Sequence, residues 1–196
     1  MRRVGALAGL LAALLGAAPA AAHHTGVYTP KDNAITANFK AVKFSVQAGK
    51  FDVAQRLFED GALRVEMRAR AAALPPDLEG RTRAALAAAD GRAVERHLMT
   101  FFVALARDLA VEADRQLAAG AAAAVTGSRF LEAIWRYYNL VDFAVSQRDA
   151  RASAAIRLAY DDAESATRPG SPDASRLRAA VQRIAALLSG LLQDAK

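Results

Sequence analysis

Residues 92–119, RAVERHLMTFFVALARDLAVEADRQLAA, decide the fold class of this chain. Apolar side chains recur in this stretch every three to four residues, which is the spacing of one face of an α-helix. The stripe consists of Leu98, Phe102, Leu105, Leu109, Ala113 and Leu117. We therefore predict one long helix, the longest of the chain, with one buried face.

The segments on either side predict further helices with clear start and stop signals. Towards the N-terminus, we predict helices over residues 34–48, 52–74 and 77–89, with Gly61 as a weak point in the second. Towards the C-terminus, residues 120–128 predict a connection, residues 129–147 a helix, and residues 150–166 another. Asp32 or Asn33 is suited to cap the first helix, and Asp173 the last.

No part of the chain has the alternation typical of a strand, and β-branched residues are sparse. We therefore predict an all-α fold, an antiparallel bundle of about six to seven helices joined by short loops. The predicted organisation is a signal peptide over residues 1–22, an extended arm over 23–33 and the bundle over 34–196. A linker is expected near residues 167–172, where proline and glycine cluster.

The first residues predict a cleaved secretory signal. Arg2 and Arg3 form a basic start, residues 7–16 are an apolar run too short for a membrane span, and residues 17–22 are small. We expect export to the periplasm and a mature chain that begins near His23. No second run of about 18 apolar residues follows, so we expect no membrane span in the mature chain.

The composition argues against several kinds of site. The chain has no cysteine, which excludes disulfides, thiolate metal sites and haem attached through a Cys-x-x-Cys-His motif. No phosphate loop, dinucleotide fingerprint or Gly-x-Ser-x-Gly turn is present, so we expect no nucleotide cofactor and no catalytic residue. We also expect no haem, because the chain lacks the cysteines of the attachment motif. The formal charge of +6 loses two positive charges with Arg2 and Arg3 and becomes +4. This charge is spread over mixed-sign helices, and we expect no nucleic-acid partner.

Two adjacent histidines, His23 and His24, follow the predicted signal peptide. An N-terminal amine and a nearby imidazole are ligands for Cu(II) or Ni(II), and imidazole also suits Zn(II). Cleavage after Ala20 would make His23 the third residue, whereas cleavage after Ala22 would make it the first. We predict both histidines as primary metal ligands, which need a third ligand from the body. The alternative is that the two histidines merely follow the signal peptide in sequence and bind no metal.

Three carboxylates are remote candidates for that third ligand. Asp108 and Glu112 lie one helical turn apart and could bind one metal together, or they could pair with Arg107, Arg115 or neighbouring residues. Asp142 follows an aromatic stripe, where a carboxylate must meet an arginine from another helix or face a cleft. No Glu-x-x-His pair is present, which argues against a ferritin-like di-iron centre.

An aromatic strip precedes Asp142. Leu131, Trp135 and Tyr138 follow one another at spacings of four and three and should share one face of a helix. The strip contains the only tryptophan of the chain. Its large side chains either fill an alanine-rich core or form a face that docks a partner protein or a small apolar ligand.

Residues 49–58, GKFDVAQRLF, resemble the turn and second helix of a tetratricopeptide unit. In such a unit Ala54 and Phe58 would pack between the paired helices. Because the pattern does not recur about 34 residues later, we expect one helical hairpin and not a repeat array.

Residues 130–138, FLEAIWRYY, within an exported alanine-rich helical chain are similar to imelysin-like periplasmic proteins and to the extracytoplasmic helical domains of bacterial iron permeases. Residues 148–151, RDAR, and 154–156, AAI, extend the similarity. This resemblance implies a protein that binds iron or another metal or passes it to a membrane partner. The imelysin signature Gly-x-His-x-x-Glu is missing, so no ligand residue is transferred.

These observations predict a non-enzymatic periplasmic helical bundle that binds or delivers a transition metal, of the iron or copper class (Cu, Fe, Ni or Zn). Its partner would be an inner-membrane metal transporter or another periplasmic protein. The alternative is a periplasmic adaptor that docks a partner protein or a small apolar ligand through Leu131, Trp135 and Tyr138. A third possibility is an enzyme whose site carries no readable motif.

Overall fold

The structure, a computed structural model, describes residues 31–168 and 172–193. These residues form nine α-helices and one 3₁₀ turn, with no strand among them, which confirms the all-α fold. The helices are α1 (Ala34–Gln47), α2 (Phe51–Glu59), α3 (Ala62–Ala69), α4 (Leu78–Ala87), α5 (Gly91–Ala118), α6 (Ala123–Tyr138), α7 (Asp142–Arg148), α8 (Ala150–Ala166) and α9 (Ala174–Gln193). The predicted signal peptide, most of the predicted arm and part of the predicted linker lie outside the described residues.

Short polar side chains begin four of the helices. The Oδ1 atom of Asn33 accepts a 2.9 Å hydrogen bond from the backbone N–H of Thr36, whose hydroxyl accepts one in return. Asp90, Asp149 and Asp173 each accept a 2.9 Å hydrogen bond from the backbone N–H three residues later. Each cap satisfies a donor that the first turn of a helix leaves free. The predicted caps at Asn33 and Asp173 are confirmed.

The single helix predicted over residues 52–74 is wrong, because the chain breaks at Gly61 into α2 and α3. Asn38 of α1 bridges this break. Its amide nitrogen donates a 2.9 Å hydrogen bond to the carbonyl of Leu57, and its amide oxygen accepts a 3.0 Å bond from the N–H of Leu63. A Cβ atom at Gly61 would overlap with the side chain of Asn38 and the carbonyl of Leu57. Glycine therefore makes room for the bridging amide.

The connection predicted over residues 120–128 is mostly helical, since α6 already begins at Ala123. Alanine favours helix strongly enough to extend α6 through this stretch. Gly127 lies inside the helix, where a Cβ atom would come within 2.5 Å of Thr167 and 2.7 Å of Leu177. The missing side chain thus lets α6 pack closely against the end of α8 and against α9.

The helix predicted over residues 129–147 is also interrupted. It ends at Tyr138, and a turn leads into α7, which begins at Asp142. The break predicted near Arg148 and Asp149 is present between α7 and α8. These divisions raise the number of described helices above the six to seven predicted, without changing the fold class.

Helix α5 lies at the centre of the bundle and packs against α9, α6, α4 and α1, while α8 packs against α9. The rings of Phe39 on α1 and Phe102 on α5 meet edge to face, with 4.6 Å between their centroids. Helices α1 and α2 form a hairpin in which Ala54 and Phe58 are fully buried. Among the described helices, none is both long and apolar enough to cross a bilayer.

Candidate functional site

A cavity of about 390 Å³ lies between the second half of α1, the start of α5 and the turn into α7. Its floor is made of buried apolar side chains from all three segments: Phe39, Val94, Leu98, Met99 and Val141. Cavities that bind small molecules have volumes of roughly 300–1,000 Å³ and mostly apolar walls. The cavity is therefore large enough for a small ligand.

The rim of this cavity is polar. It is formed by Lys43, Gln47, Asp90, Arg92 and Glu95, all of them solvent-exposed except the half-buried Lys43. A buried apolar floor under an exposed polar rim places apolar surface within reach of solvent. This arrangement is typical of a binding pocket, in which a few polar groups orient a ligand over an apolar surface.

The local sequence explains how the walls form. On α1, Phe39, Lys43 and Gln47 recur every four residues and therefore share one helical face. On α5, Val94 and Leu98 have the same spacing. The two faces meet where α5 begins, and the turn into α7 completes the enclosure.

Some charged residues at the rim interact with a neighbouring group, whereas others form no ion pair. The ammonium group of Lys43 lies over the ring of Phe39, 5.7 Å from its centroid, where the ring face attracts a cation. The carboxylate of Asp90 accepts the hydrogen bond that caps α5. In the described part of the chain, Lys43, Arg92 and Glu95 form no ion pair.

Two exposed phenylalanines adjoin the lining residues. Phe44 follows Lys43 and is 64% exposed, while Phe143 precedes Ala144 of the α7 wall and is 72% exposed. Exposed apolar groups are ordinary when they are scattered singly, and grouped ones mark interaction sites. Each of these two rings is exposed apolar surface one residue away in sequence from a lining position.

The aromatic strip, for which the sequence left a core or a docking face open, lies largely in the core. Leu131 and Tyr138 are buried, and Trp135 is partly buried. The ring of Trp135 packs on that of Tyr160, with 4.8 Å between centroids, and the hydroxyl of Tyr160 donates a 2.8 Å hydrogen bond to the carbonyl of Leu131. The strip joins α6 to α8, and only part of Trp135 is accessible to a ligand or partner.

Asp142 is buried and meets an arginine from another helix, as the cost of burying a carboxylate predicts. It accepts hydrogen bonds from the hydroxyl of Ser153 at 2.9 Å and from Nε of Arg157 at 3.2 Å. Burial raises the pKa of the nearby Tyr138 hydroxyl, and the negative charge of Asp142 adds to this effect. Asp142 therefore serves as a contact between α7 and α8.

Asp108 and Glu112 are held by separate arginines. Asp108 pairs with Arg107 at 2.5 Å and with Arg70 at 3.6 Å. Glu112 pairs with Arg115 at 2.5 Å, and the hydrogen bond from Arg115 is the main cause that lowers the pKa of Glu112 to about 2. These contacts correspond to the ion pairs that the sequence offered as the alternative to metal binding.

Within residues 31–168 and 172–193, no three histidine, aspartate or glutamate side chains come together as a metal site. The two predicted primary ligands, His23 and His24, lie outside the described residues. His97 is half-buried on α5, and its buried Nδ1 atom has no hydrogen-bond partner. Burial lowers the pKa of His97, and the neighbouring charges of Arg81 and Arg96 lower it further.

The sequence did not identify the cavity. Its lining residues are ordinary apolar helix residues, and the pattern that places Phe39, Lys43 and Gln47 on one face is also the pattern of a core helix. Only the relative positions of α1, α5 and α7 distinguish a cavity from a filled core. Comparisons with known proteins add no relative, since no protein-family model, no curated protein and no solved structure matches the chain.

Proposed function

We propose that this protein is a non-enzymatic binding protein of the periplasm that holds a small apolar ligand in the cavity between α1, α5 and α7. The single observation that supports this function is the combination of a buried apolar floor with an exposed polar rim around about 390 Å³ of space. The cavity opens to solvent at its rim, so a ligand seated on the floor would cover apolar surface that water otherwise reaches.

Phe44 and Phe143 are exposed and lie next in sequence to the lining residues Lys43 and Ala144. A ligand long enough to extend past the rim to either ring would remove further apolar surface from water. Removing apolar surface from water contributes roughly 25 cal/mol per Å². The proposed site differs from the predicted aromatic strip on α6, but the predicted class of ligand, a small apolar molecule, is retained.

The direct test uses N-phenyl-1-naphthylamine, a neutral dye whose fluorescence rises in apolar surroundings, titrated into the purified mature protein. We expect saturable binding that decanol displaces. Ala144→Phe should fill the cavity from its α7 wall, and Gln47→Trp should cover it from the exposed rim, so both should weaken dye binding at least tenfold. Ala154→Phe, on an exposed position of α8 that does not line the cavity, is the matched control.

Three results would overturn the proposal. The first is the absence of saturable dye binding by a protein whose helical circular dichroism is intact. The second is a concentration-dependent dimer that Gln47→Trp abolishes, since a second copy of the chain would then occupy the site. Equal dye binding by Gln47→Trp and Ala154→Phe would show that the dye binds elsewhere, and it would also contradict the proposal.

The metal-binding function predicted from His23 and His24 stays a prediction of its own. It concerns the arm that precedes α1, whereas the cavity is built from the body. The two functions are compatible, and the histidine substitutions that test the first leave every cavity residue unchanged.

A further inference from the structure

We propose that the ligand is a single-chain amphipathic carboxylate of the medium-chain fatty-acid type, whose apolar chain fills the cavity and whose carboxylate pairs with Lys43. This inference rests on the proposed function, because it specifies the head group of the ligand that the cavity takes. It follows from the distribution of charge around the rim and from the position of the Lys43 ammonium group above the floor.

The α1 wall carries one positive charge and no negative charge. Lys43 is its only charged lining residue, and the two lining residues that follow it on α1, Val46 and Gln47, are neutral. In the described part of the chain no carboxylate pairs with Lys43, although the neighbouring Lys40 on the same helix pairs with Asp32 at 2.8 Å. The Lys43 charge thus stays available for an incoming anion.

The α5 wall carries one net negative charge, since Asp90 and Glu95 are acidic and Arg92 is basic. The carboxylate of Asp90 keeps its charge while it accepts the hydrogen bond from the N–H of Ala93. The two walls therefore differ in sign, and the α1 side beside Lys43 is the positive side of the rim. A carboxylate head is therefore favoured on the α1 side, and a cationic head is disfavoured there.

The position of Lys43 also fits a ligand with a head and a chain. Its ammonium group lies 5.7 Å from the centroid of the Phe39 ring, at the boundary between the apolar floor and the polar rim. A carboxylate bound there would leave its chain pointing into the space lined by Leu98 and Met99. A volume of about 390 Å³ lies near the lower end of the small-molecule range, which favours one chain over the two of a membrane lipid.

The test compares three probes of equal chain length, decanoate, decanol and decylamine, by isothermal titration calorimetry at pH 8 below their micellar concentrations. We expect decanoate to bind at least as tightly as decanol, although water solvates its charge, and decylamine to bind most weakly. Lys43→Met keeps most of the side-chain length and removes the charge. It should weaken decanoate binding about fivefold, which is the effect expected for the loss of a partly exposed ion pair. Decanol binding should be unchanged. Lys43→Arg should retain decanoate binding. Lys50→Met, an exposed lysine outside the lining, is the matched control.

The outcomes separate this inference from the proposed function. If none of the three probes binds, the proposed function fails. If decanol binds but Lys43→Met leaves the ratio of decanoate to decanol affinity unchanged, only the carboxylate inference is overturned. Binding to phosphatidylglycerol vesicles that Lys43→Met abolishes, without binding of monomeric decanoate, would assign the site to a membrane surface and would likewise overturn it.

Discussion

The hydroxyl of Ser153 donates a 2.9 Å hydrogen bond to the carboxylate of Asp142, which fixes the start of α7 to α8. Asp142 directly follows Val141, one of the residues that line the cavity. The contact therefore holds one wall of the proposed binding site in place. Asp142 was a remote candidate for a metal ligand in the sequence, and this contact gives the buried carboxylate a structural role next to the cavity.

We expect Asp142→Ala to lower the free energy of unfolding by about 2 kcal/mol, because Ser153 would lose its partner in a buried position. Urea denaturation followed by Trp135 fluorescence measures this change. Asp161→Ala, on an exposed position of α8, should change stability by less than about 0.5 kcal/mol. Asp142→Ala should also weaken dye binding, since the α7 wall is no longer fixed. Equal stability of the two variants would refute the role of Asp142.

Two glycine substitutions should change stability in opposite directions, one at the break between α2 and α3 and one inside α9. Gly61→Ala should destabilise the protein by about 2 kcal/mol, because its methyl group would displace the Asn38 amide that bridges the break. Gly190→Ala should stabilise it by about 0.5–1 kcal/mol, because this helical position in α9 has open space and alanine favours helix. Thermal and urea unfolding of both variants measure the difference. A stabilising Gly61→Ala would show that the Asn38 bridge is not needed.

The stability of the α3–α4 contact should depend on pH through Glu79. Although burial acts to raise the pKa of Glu79, the hydrogen bond from Arg64 and the charges of Arg83 and Arg68 lower it below the model-peptide value of 4.5. A carboxyl group whose pKa is lower in the folded state stabilises the protein above its unfolded pKa and loses this effect as the pH falls. Glu79→Gln should therefore cost most stability near pH 7, and the cost should shrink below pH 4.5.

Glu164 provides the comparison of opposite sign. Although Glu164 is exposed overall, partial desolvation of its carboxyl group, followed by the charge of Asp161, raises its pKa, so its ionised form is disfavoured in the folded state. Glu164→Gln should leave the protein slightly more stable than the native chain at pH 7, with the gain disappearing at acid pH. Denaturation curves between pH 3 and pH 7 for both variants test the two signs. A cost for Glu79→Gln that is independent of pH would contradict the proposed linkage.

The metal prediction is tested on untagged mature protein, because a tag would add ligands of its own. Intact mass gives the N-terminal residue, and elemental analysis gives any bound Cu, Ni, Zn or Fe. The double substitution of His23→Ala and His24→Ala should remove the metal and leave the helical content unchanged. Asp52→Asn combined with Asp161→Asn is the control, since both carboxylates are exposed and neither is a candidate ligand. A protein that neither carries nor takes up any of these metals would contradict the prediction.

The sequence predicted the helices well because helix periodicity and capping are local properties. The stripe from Leu98 to Leu117 lies on one helix, and Asn33 and Asp173 cap the helices that follow them. The breaks at Gly61 and after Tyr138 were missed or underestimated, because they depend on contacts with distant residues. Gly61 is needed only because Asn38 occupies the space beside it, and Asp142 turns towards Ser153, which lies 11 residues later.

The site was harder to predict than the fold for the same reason. A core helix and a cavity-lining helix have the same apolar spacing, and Phe39, Leu98 and Met99 carry no chemical signature. Conversely, Tyr138 and Leu131 are residue types that are common in docking faces, but here they are buried against α8. Whether an apolar face is filled or open is decided by neighbouring helices, which the periodicity of a single helix does not report.

Methionine methyl groups offer the most direct measurement of ligand binding in the cavity. The chain has three methionines, at positions 1, 67 and 99. Met99 lines the cavity, whereas Met67 is buried on α3 outside it and acts as an internal control. In a sample labelled with ¹³C at the methionine methyl groups, titration with decanol should shift the Met99 signal in a saturable manner and leave the Met67 signal in place. If Met99 does not respond, or if both signals move together, the cavity between α1, α5 and α7 is not the binding site.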